Sequence, residues 1–346
     1  MEYRELGKSG IKVSVICLGT MTYGQQNSEK EAHEQLDLAV SQGINFIDTA
    51  ELYPIPVKKE TYGFTEQYIG NWLKKRKNRH QLIIASKIAG PRKDATHIRG
   101  GSEYTPAQIR EALENSLKRL RTDYIDLYQL HWPERKANFF GKLGYKYDAN
   151  DQWENNFYEI LVTLDQLIKE GKIRHVGISN ETPWGTMSYL SLAEKFDLPG
   201  MVSIQNPYNL INRTYEIGMA EISIREQVGL LAYSPLAFGL LSGKYHENTA
   251  SDDSRLNQFP QLTRYDNPIA RETIKKYIEL ARFYHLKPAH MALAYVNSRD
   301  FLTSTIIGAT NMEQLKENID SMKVTLSDDI LEQIEKIHLA QPNPAP

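Results

Sequence analysis

The sequence predicts an α/β chain folded as a (β/α)8 TIM barrel, and three observations carry that prediction. Short apolar runs ending in polar residues recur at Val15–Leu18, Phe46–Thr49, Leu82–Ser86, Tyr124–Leu130, His175–Ile178, Val202–Gln205, Gly229–Ser234 and Thr305–Gly308. That is about eight runs, the strand number of a β/α barrel. Each is followed by a longer segment of helical period, and strands alternating with helices imply a parallel sheet. No helix-free half and no boundary linker divides the 346 residues. Residues 1–346 therefore read as one domain, since single β/α barrels run to about 250 residues or more.

The elements follow in order. Residues 2–15 carry two short alternating patterns around Lys8-Ser9-Gly10, which reads as an N-terminal β-hairpin. The stretch Ser28–Gln42 opens with Ser28 followed at the third position by Glu31, a capping box. Thr105 and Pro106 open another helix as N-cap and first helical residue, with Ile109, Ala112, Leu113, Ser116, Leu117 and Leu120 on one face. Phe157–Lys169 and Glu216–Gln227 repeat the theme. Three connections are long for βα loops: Ala89–Tyr104 after strand 3, Pro133–Asn156 after strand 4 and Leu241–Pro268 after strand 7. All leave strand C-termini, the face where barrels keep their active sites, and loops of that length are usually functional. The aromatics Phe139, Phe140, Tyr145, Tyr147 and Trp153 suit the second loop to a pocket wall or lid. An extra C-terminal helix, Asp328–Leu339, would cover the barrel's side or base, and the Pro-rich tail Gln341–Pro346 reads as mobile.

Composition excludes several classes. A formal net charge of -2 argues against a nucleic-acid protein, which would carry a basic stripe. The run Lys74-Lys75-Arg76-Lys77 reads as a solvated helix end, where cations complement the dipole. The single cysteine, Cys17, allows no intrachain disulfide and lies in an apolar run as buried filler. No stretch has signal-peptide character or membrane-spanning length. A soluble, cytoplasmic chain is expected.

The chemistry gathers at strand ends. Asp48, Lys87 and His131 end three consecutive strands, and Tyr53 follows Asp48 closely. Each has a bland reading alone, as turn cap, loop lysine, structural histidine or rim aromatic. Together at the C-terminal rim they can converge on one pocket. A free tyrosine has a pKa of about 10, too high to yield its proton quickly near neutrality. A nearby ammonium favours the phenolate, and Asp48 would keep Lys87 charged and aimed at Tyr53. A neutral His131 can donate a hydrogen bond to a carbonyl oxygen. A phenol acid beside an oriented carbonyl needs a hydride donor, a nicotinamide cofactor.

No G-x-G-x-x-G follows the first strand, so a Rossmann site is not expected. The remaining strand ends offer another cradle. Ser179, Asn180 and Gln205 are short hydrogen-bonding side chains of the kind an amide ligand needs, although Ser179 and Asn180 could instead cap the next helix. Tyr233, leading into Ser234-Pro235-Leu236, offers an aromatic face. Lys244 follows on a flexible loop, and Arg255 lies further on unless it is a surface residue. Gly308 and Thr310 lead into a helix carrying Gln314, Glu317 and Asn318, where an N-terminus can hold phosphate.

These motifs, in this order, resemble those of the aldo-keto reductases over Tyr3 to about Ile337. They are Leu18-Gly19-Thr20-Met21, Ile47-Asp48-Thr49-Ala50 with Tyr53, Gly63 through Glu66 and Gly70, Ser86-Lys87, and Asp126-Leu127-Tyr128 with His131-Trp132-Pro133. Gly171-Lys172-Ile173-Arg174, Gly177-Ile178-Ser179-Asn180, Gln205-Asn206-Pro207-Tyr208, Tyr233-Ser234-Pro235-Leu236, Gly243-Lys244-Tyr245, Gly308-Ala309-Thr310 and Glu317-Asn318 complete the set. The resemblance implies a barrel that binds NADPH, in preference to NADH, in an extended pose. It implies Tyr53 as general acid/base, Lys87 and Asp48 as its tuning pair, and His131 as the residue orienting the carbonyl. It further implies that Thr20 and Met21 touch the cofactor, that Ser179, Asn180 and Gln205 hold the carboxamide, and that Tyr233 stacks on the ring. The segment from Ser234, Pro235 and Leu236 through Phe238 to Leu241 would wrap the pyrophosphate. Lys244 and Arg255, with Arg264 as a competitor, would lie near the phosphates. Gly308, Thr310, Gln314, Glu317 and Asn318 would surround the adenosine. One departure is Pro54–Tyr62, longer than the link many relatives have after this tyrosine.

The expected partner is a small carbonyl substrate, with no metal, nucleic acid or membrane; the sequence does not set the oligomeric state. A cofactor-bound sensor or auxiliary subunit with little turnover is the competing reading. A Schiff-base lyase built on Lys87 is disfavoured by its carboxylate partner. A metal hydrolase is disfavoured by the lack of a second histidine at ligand spacing.

Overall fold

The computed structural model describes residues 1–92 and 95–346. It opens with an antiparallel hairpin of β1 (Tyr3–Glu5) and β2 (Lys12–Ser14). Eight parallel strands then close into a barrel: β3 (Ile16–Gly19), β4 (Phe46–Asp48), β5 (Ile83–Ile88), β6 (Ile125–Leu130), β7 (Ile173–Ser179), β8 (Ser203–Pro207), β9 (Gly229–Tyr233) and β10 (Leu302–Ile307), with β10 pairing to β3. The expected barrel and N-terminal hairpin are those observed. Between the strands run α1 (Glu29–Ser41), α2 (Phe64–Lys74), α3 (Pro106–Leu120), α4 (Phe157–Lys169), α5 (Pro183–Phe196) and α6 (Tyr215–Arg225). The one-turn α7 (Arg255–Gln258), α8 (Pro268–Phe283) and α9 (Pro288–Asn297) follow β9, and α10 (Met312–Asp320) and α11 (Asp328–Ala340) follow β10.

Local signals set these elements. Ser28 and Glu31 form the reciprocal capping box of α1, and Thr105 caps α3 through the Gln108 N–H with Pro106 beside it. All six predicted face residues of α3 are buried. The hairpin plugs the barrel's N-terminal mouth: Leu6 and Val13 join the inward-facing Cys17, Phe46, Ala85, Leu127, Leu231 and Ile306 in one buried cluster. Outward strand residues such as Leu18, Ile47, Ile84 and Tyr128 pack under the helices in a larger core. No helix of the described residues is long and apolar enough to cross a membrane.

The structure corrects three expectations. The last strand begins at Leu302, not Thr305, because its polar residues are buried with partners: Ser304 Oγ donates to Ser14 O at 2.8 Å and Thr305 Oγ1 to Asn297 Oδ1 at 2.6 Å. Likewise β5 runs on through Lys87 to Ile88, fully buried. The C-terminal tail is held in place rather than mobile. Arg213 N–H donates to Asn343 Oδ1 at 2.6 Å, Asn267 Nδ2 to Pro344 O at 2.9 Å and Ala345 N–H to Ile211 O at 3.2 Å, so the tail returns from α11 to the barrel's C-terminal face. The long loops lie on that same face.

Close helix packing yields one prediction. A Cβ on Gly70 of α2 would lie 2.1 Å from the Arg119 carbonyl oxygen of α3. Gly70→Ala should therefore destabilise the fold by about 1–3 kcal/mol despite alanine's better helix propensity, and urea unfolding measures it. An unchanged midpoint would contradict this packing.

Candidate active site

Strand alternation aims the polar residues. Side chains along a strand alternate between faces, so residues two apart share one. Phe46, Ala85, Leu127 and Leu231 face the barrel interior. Asp48, Lys87, Gln129 and Tyr233 follow each of them by two, on the same face. Register sets them side by side: Lys87 opposes Gln129, Gln129 opposes Gly177, and Ser179 opposes Gln205. Gly177 is needed here, since a Cβ would lie 2.6 Å from Ser203 Oγ and 3.3 Å from Gln129 Cγ.

At the centre, Lys87 Nζ donates to Asp48 Oδ2 at 2.6 Å and to the Thr49 carbonyl at 2.8 Å, with both charged side chains buried. The other Asp48 oxygen accepts from Gln205 Nε2 at 2.8 Å and Gln129 Nε2 at 3.3 Å. Lys87 Nζ lies 5.0 Å from the centre of the Tyr53 ring, and Tyr53 meets the His131 ring edge to face at 5.8 Å. Burial pulls the Lys87 ammonium down, but Asp48 and Tyr53 outweigh it and hold the pKa above its ordinary value. Burial and the Lys87 charge push His131 well below the usual histidine range, so its ring is neutral. Tyr53 departs from the expectation of a lowered pKa. Burial raises its phenol more than the Lys87 charge lowers it, and the net direction is upward, so Tyr53 holds its proton at neutral pH.

Tyr53, Asp48 and His131 line a cavity of about 1430 Å³ that extends to Gln314 and Asn318. Thr20, Met21, Ser179, Asn180, Gln205, Tyr233, Ser234, Pro235, Leu236, Phe238, Lys244, Arg255, Gly308, Thr310 and Glu317 also line it. Two expected residues do not. Leu241 is buried in the hydrophobic core. Lys87 lies behind Asp48 and Tyr53, so it acts on the cavity through them. Asn180 and Gln205 are already engaged. Asn180, with φ +55, donates Nδ2 to the His131 carbonyl at 2.9 Å, and its Oδ1 accepts from Tyr233 Oη at 2.6 Å.

The structure separates the two arginines. Arg264 donates to Tyr233 Oη at 3.1 Å and to the Pro346 carbonyl at 3.2 Å, at the end near His131. Arg255 reaches Met21 Sδ at 3.5 Å and lies 5.2 Å over Phe238, with Nε buried and without a hydrogen-bond partner. Burial lowers the pKa of both Arg255 and Lys244, the cost of a cation held away from water. No carboxylate pairs with Arg255 among the described residues. Under-compensated cations on the wall of a long cavity fit a ligand with phosphates, and so fit a phosphorylated dinucleotide.

Sequence reasoning missed Gln129 and Glu51. Gln129 could have been found as a polar residue on the inward face of an apolar strand, two before His131. Glu51 is fully buried between Asp48 and Tyr53. It accepts from the Ala89 N–H at 2.9 Å, from Tyr62 Oη at 2.8 Å and from Arg99, tying the turn that carries Tyr53 to the end of β5. Segment 54–62, noted above for its length, returns at Gly63, whose N–H donates to Tyr53 O at 3.0 Å, and presents Ile55 and Val57 to the cavity.

Comparison with known proteins places the chain in a family. The model described as the aldo/keto reductase family matches residues 15–339. The chain is 50% identical to Protein tas of Escherichia coli over 352 aligned positions, covering all of both chains. It is 33% identical to the uncharacterized oxidoreductase YrpG of Bacillus subtilis, over 97% of this chain and 96% of that one. It is also 30% identical to a probable voltage-gated potassium channel subunit beta of Arabidopsis thaliana, over 99% and 98% of the two chains. By its closed barrel, its strand-end residues and this near full-length match, the chain belongs to the aldo/keto reductase family.

Proposed function

We infer that the chain is an NADP(H)-dependent oxidoreductase that reduces aldehydes and ketones to alcohols, with Tyr53 as the proton donor. What carries the reading is the buried Lys87–Asp48 pair, 2.6 Å apart, behind a protonated phenol and a neutral imidazole on one cavity wall. A bound nicotinamide cofactor supplies the hydride in reduction and takes it in the reverse direction. The substrate's carbonyl oxygen sits between Tyr53 and His131. The neutral His131 has one N–H to offer that oxygen, which fixes its direction. Tyr53 gives its proton to the same oxygen as the alcohol forms. Lys87 offsets the charge left on the phenolate, and Asp48 keeps Lys87 protonated for that purpose. In oxidation Tyr53 takes the proton back.

Ser179, Asn180 and the free Oε1 of Gln205 would hold the cofactor's amide, and Tyr233 would face its ring. Segment 234–238 would wrap the pyrophosphate. Lys244 and Arg255 would meet the adenosine 2′-phosphate, the group that distinguishes NADPH from NADH. Gly308, Thr310, Gln314, Glu317 and Asn318 would enclose the adenosine. A second reading, a cofactor-bound auxiliary subunit, draws on the similarity to a protein named as a channel β subunit. Very slow turnover over a broad aldehyde panel, with NADPH retained through gel filtration, would favour it.

Three outcomes test the leading reading. Tyr53→Phe should abolish NADPH-dependent aldehyde reduction, followed as absorbance loss, while NADPH still quenches protein fluorescence. Reduction at the wild-type rate would remove Tyr53 from its role. Lys87→Met should slow reduction by roughly 10²-fold or more, the scale of general-acid effects. The third concerns pH. Tyr53 is raised above its ordinary value and His131 lowered below its own, so neither changes charge near neutrality. Reduction should hold level from about pH 6 to 9 and fall as the solution becomes more alkaline and the phenol loses its proton. An inflection at the ordinary histidine value would mean that His131 titrates in the working enzyme.

A further inference from the structure

Beside the site lies a second cavity, of about 840 Å³, between the long 133–156 loop and the N-terminal ends of α5 and α6. Leu143, Tyr145, Trp153, Pro183, Trp184 and Met219 line it. It shares Phe139, Phe140, Gly141, Asn180, Arg264 and Pro346 with the first cavity, so the two adjoin along these residues. Its size falls within the range of small-molecule pockets, about 300–1,000 Å³.

The junction between the two is built unusually. Phe140 has φ +54 and Gly141 φ +87, so a bulky residue occupies the left-handed region. For such a residue that conformation is an outlier, of the kind that clusters at ligand sites. The Phe140 ring lies 5.9 Å from Trp132 and 5.0 Å from Phe139, and Trp132 lies 4.9 Å from His131. A continuous aromatic lane thus runs from the reacting end to the second cavity. Of the residues lining the second cavity, Leu143 is 66% exposed, Tyr145 65% and Trp184 55%, so its wall offers uncovered apolar surface. That wall belongs to a concavity that adjoins the reacting cavity, which points to the substrate itself rather than a flat protein partner.

We propose that the second cavity receives the apolar far end of the substrate, so that the favoured carbonyl compounds carry a long alkyl or ring system. This rests on the carbonyl-reducing reading above. The polar carbonyl stays between Tyr53 and His131, and the hydrocarbon passes Phe139 and Phe140 to lie against Trp153 and Trp184. Removing that surface from water supplies the preference.

The test uses the full chain with NADPH, and propanal and octanal as substrates. Octanal should exceed propanal in kcat/KM by about tenfold or more, the scale of extra methylenes in an apolar pocket. Trp184→Ala removes part of the wall. Gly218→Leu on α6 fills the cavity, since the new Cβ meets only Pro183, at 3.2 Å. Each should lower the octanal-to-propanal ratio about tenfold. Calorimetric titration with 1-octanol gives a readout free of turnover: it should bind the wild type and bind both variants more weakly. Octanol binding that depends on Trp184 and Gly218, without reduction of either aldehyde, would uphold the pocket and sink the reductase reading. Reduction of propanal with a flat chain-length profile, or a ratio unmoved by both substitutions, would overturn the pocket and leave the reductase reading intact.

Discussion

The structure depends on one buried ion pair, Lys87 with Asp48. An ammonium fully enclosed by protein is costly, and only a carboxylate in good geometry with its remaining lone pairs satisfied repays that cost. Asp48 meets the condition: one oxygen takes Lys87, the other takes Gln205 and Gln129. The pair therefore ties β4, β5, β6 and β8 together by side chains as well as by register. Removing one partner would leave an uncompensated charge, a loss of about 3–5 kcal/mol. The same charge accounts for the opposite treatment of its neighbours, since it helps to hold His131 neutral and opposes the burial that raises Tyr53.

Around this pair, buried carboxylates secure the segments that strands cannot. Glu51 braces the turn bearing Tyr53 against the start of the loop after β5. Glu66 on α2 accepts from Ser86 Oγ at 2.6 Å and from Arg119 Nε at 2.7 Å, fastening two helices to β5. A phenol on a turn is only as well placed as that turn, and these contacts tie the turn bearing Tyr53 to the barrel. The loops then shape the cavity. Ile55 and Val57 on one side, Phe139 and Phe140 on another, and the C-terminal tail on a third leave an aromatic and aliphatic mouth above a polar floor.

Much of this was readable in the chain. Apolar runs alternating with helical periods specified the barrel, because a parallel strand buried on both faces and a one-sided helix leave distinct patterns. The capping residues Ser28, Glu31 and Thr105 were equally plain, since a cap acts within three residues. Asp48, Tyr53, Lys87 and His131 were legible because a strand end is a local feature and the barrel brings such ends to one face. What escaped was whatever depends on partners far away in sequence. The polar start of β10 did not look like a strand until Ser14 and Asn297 were seen to satisfy it. The tail looked mobile until Ile211, Arg213 and Asn267 were seen to hold it.

The sequence by itself determined the architecture and the identity of the polar residues at its rim, because both follow from short-range pattern. Only the tertiary structure decided their electrostatic state and reach. Whether Tyr53 is acidified or held protonated turns on burial competing with the Lys87 charge, a balance set by packing that no local pattern encodes. The same holds for the division between Arg255 and Arg264. They stand nine positions apart in one loop, and the fold's path alone carries one toward Met21 and Phe238 and the other to Tyr233.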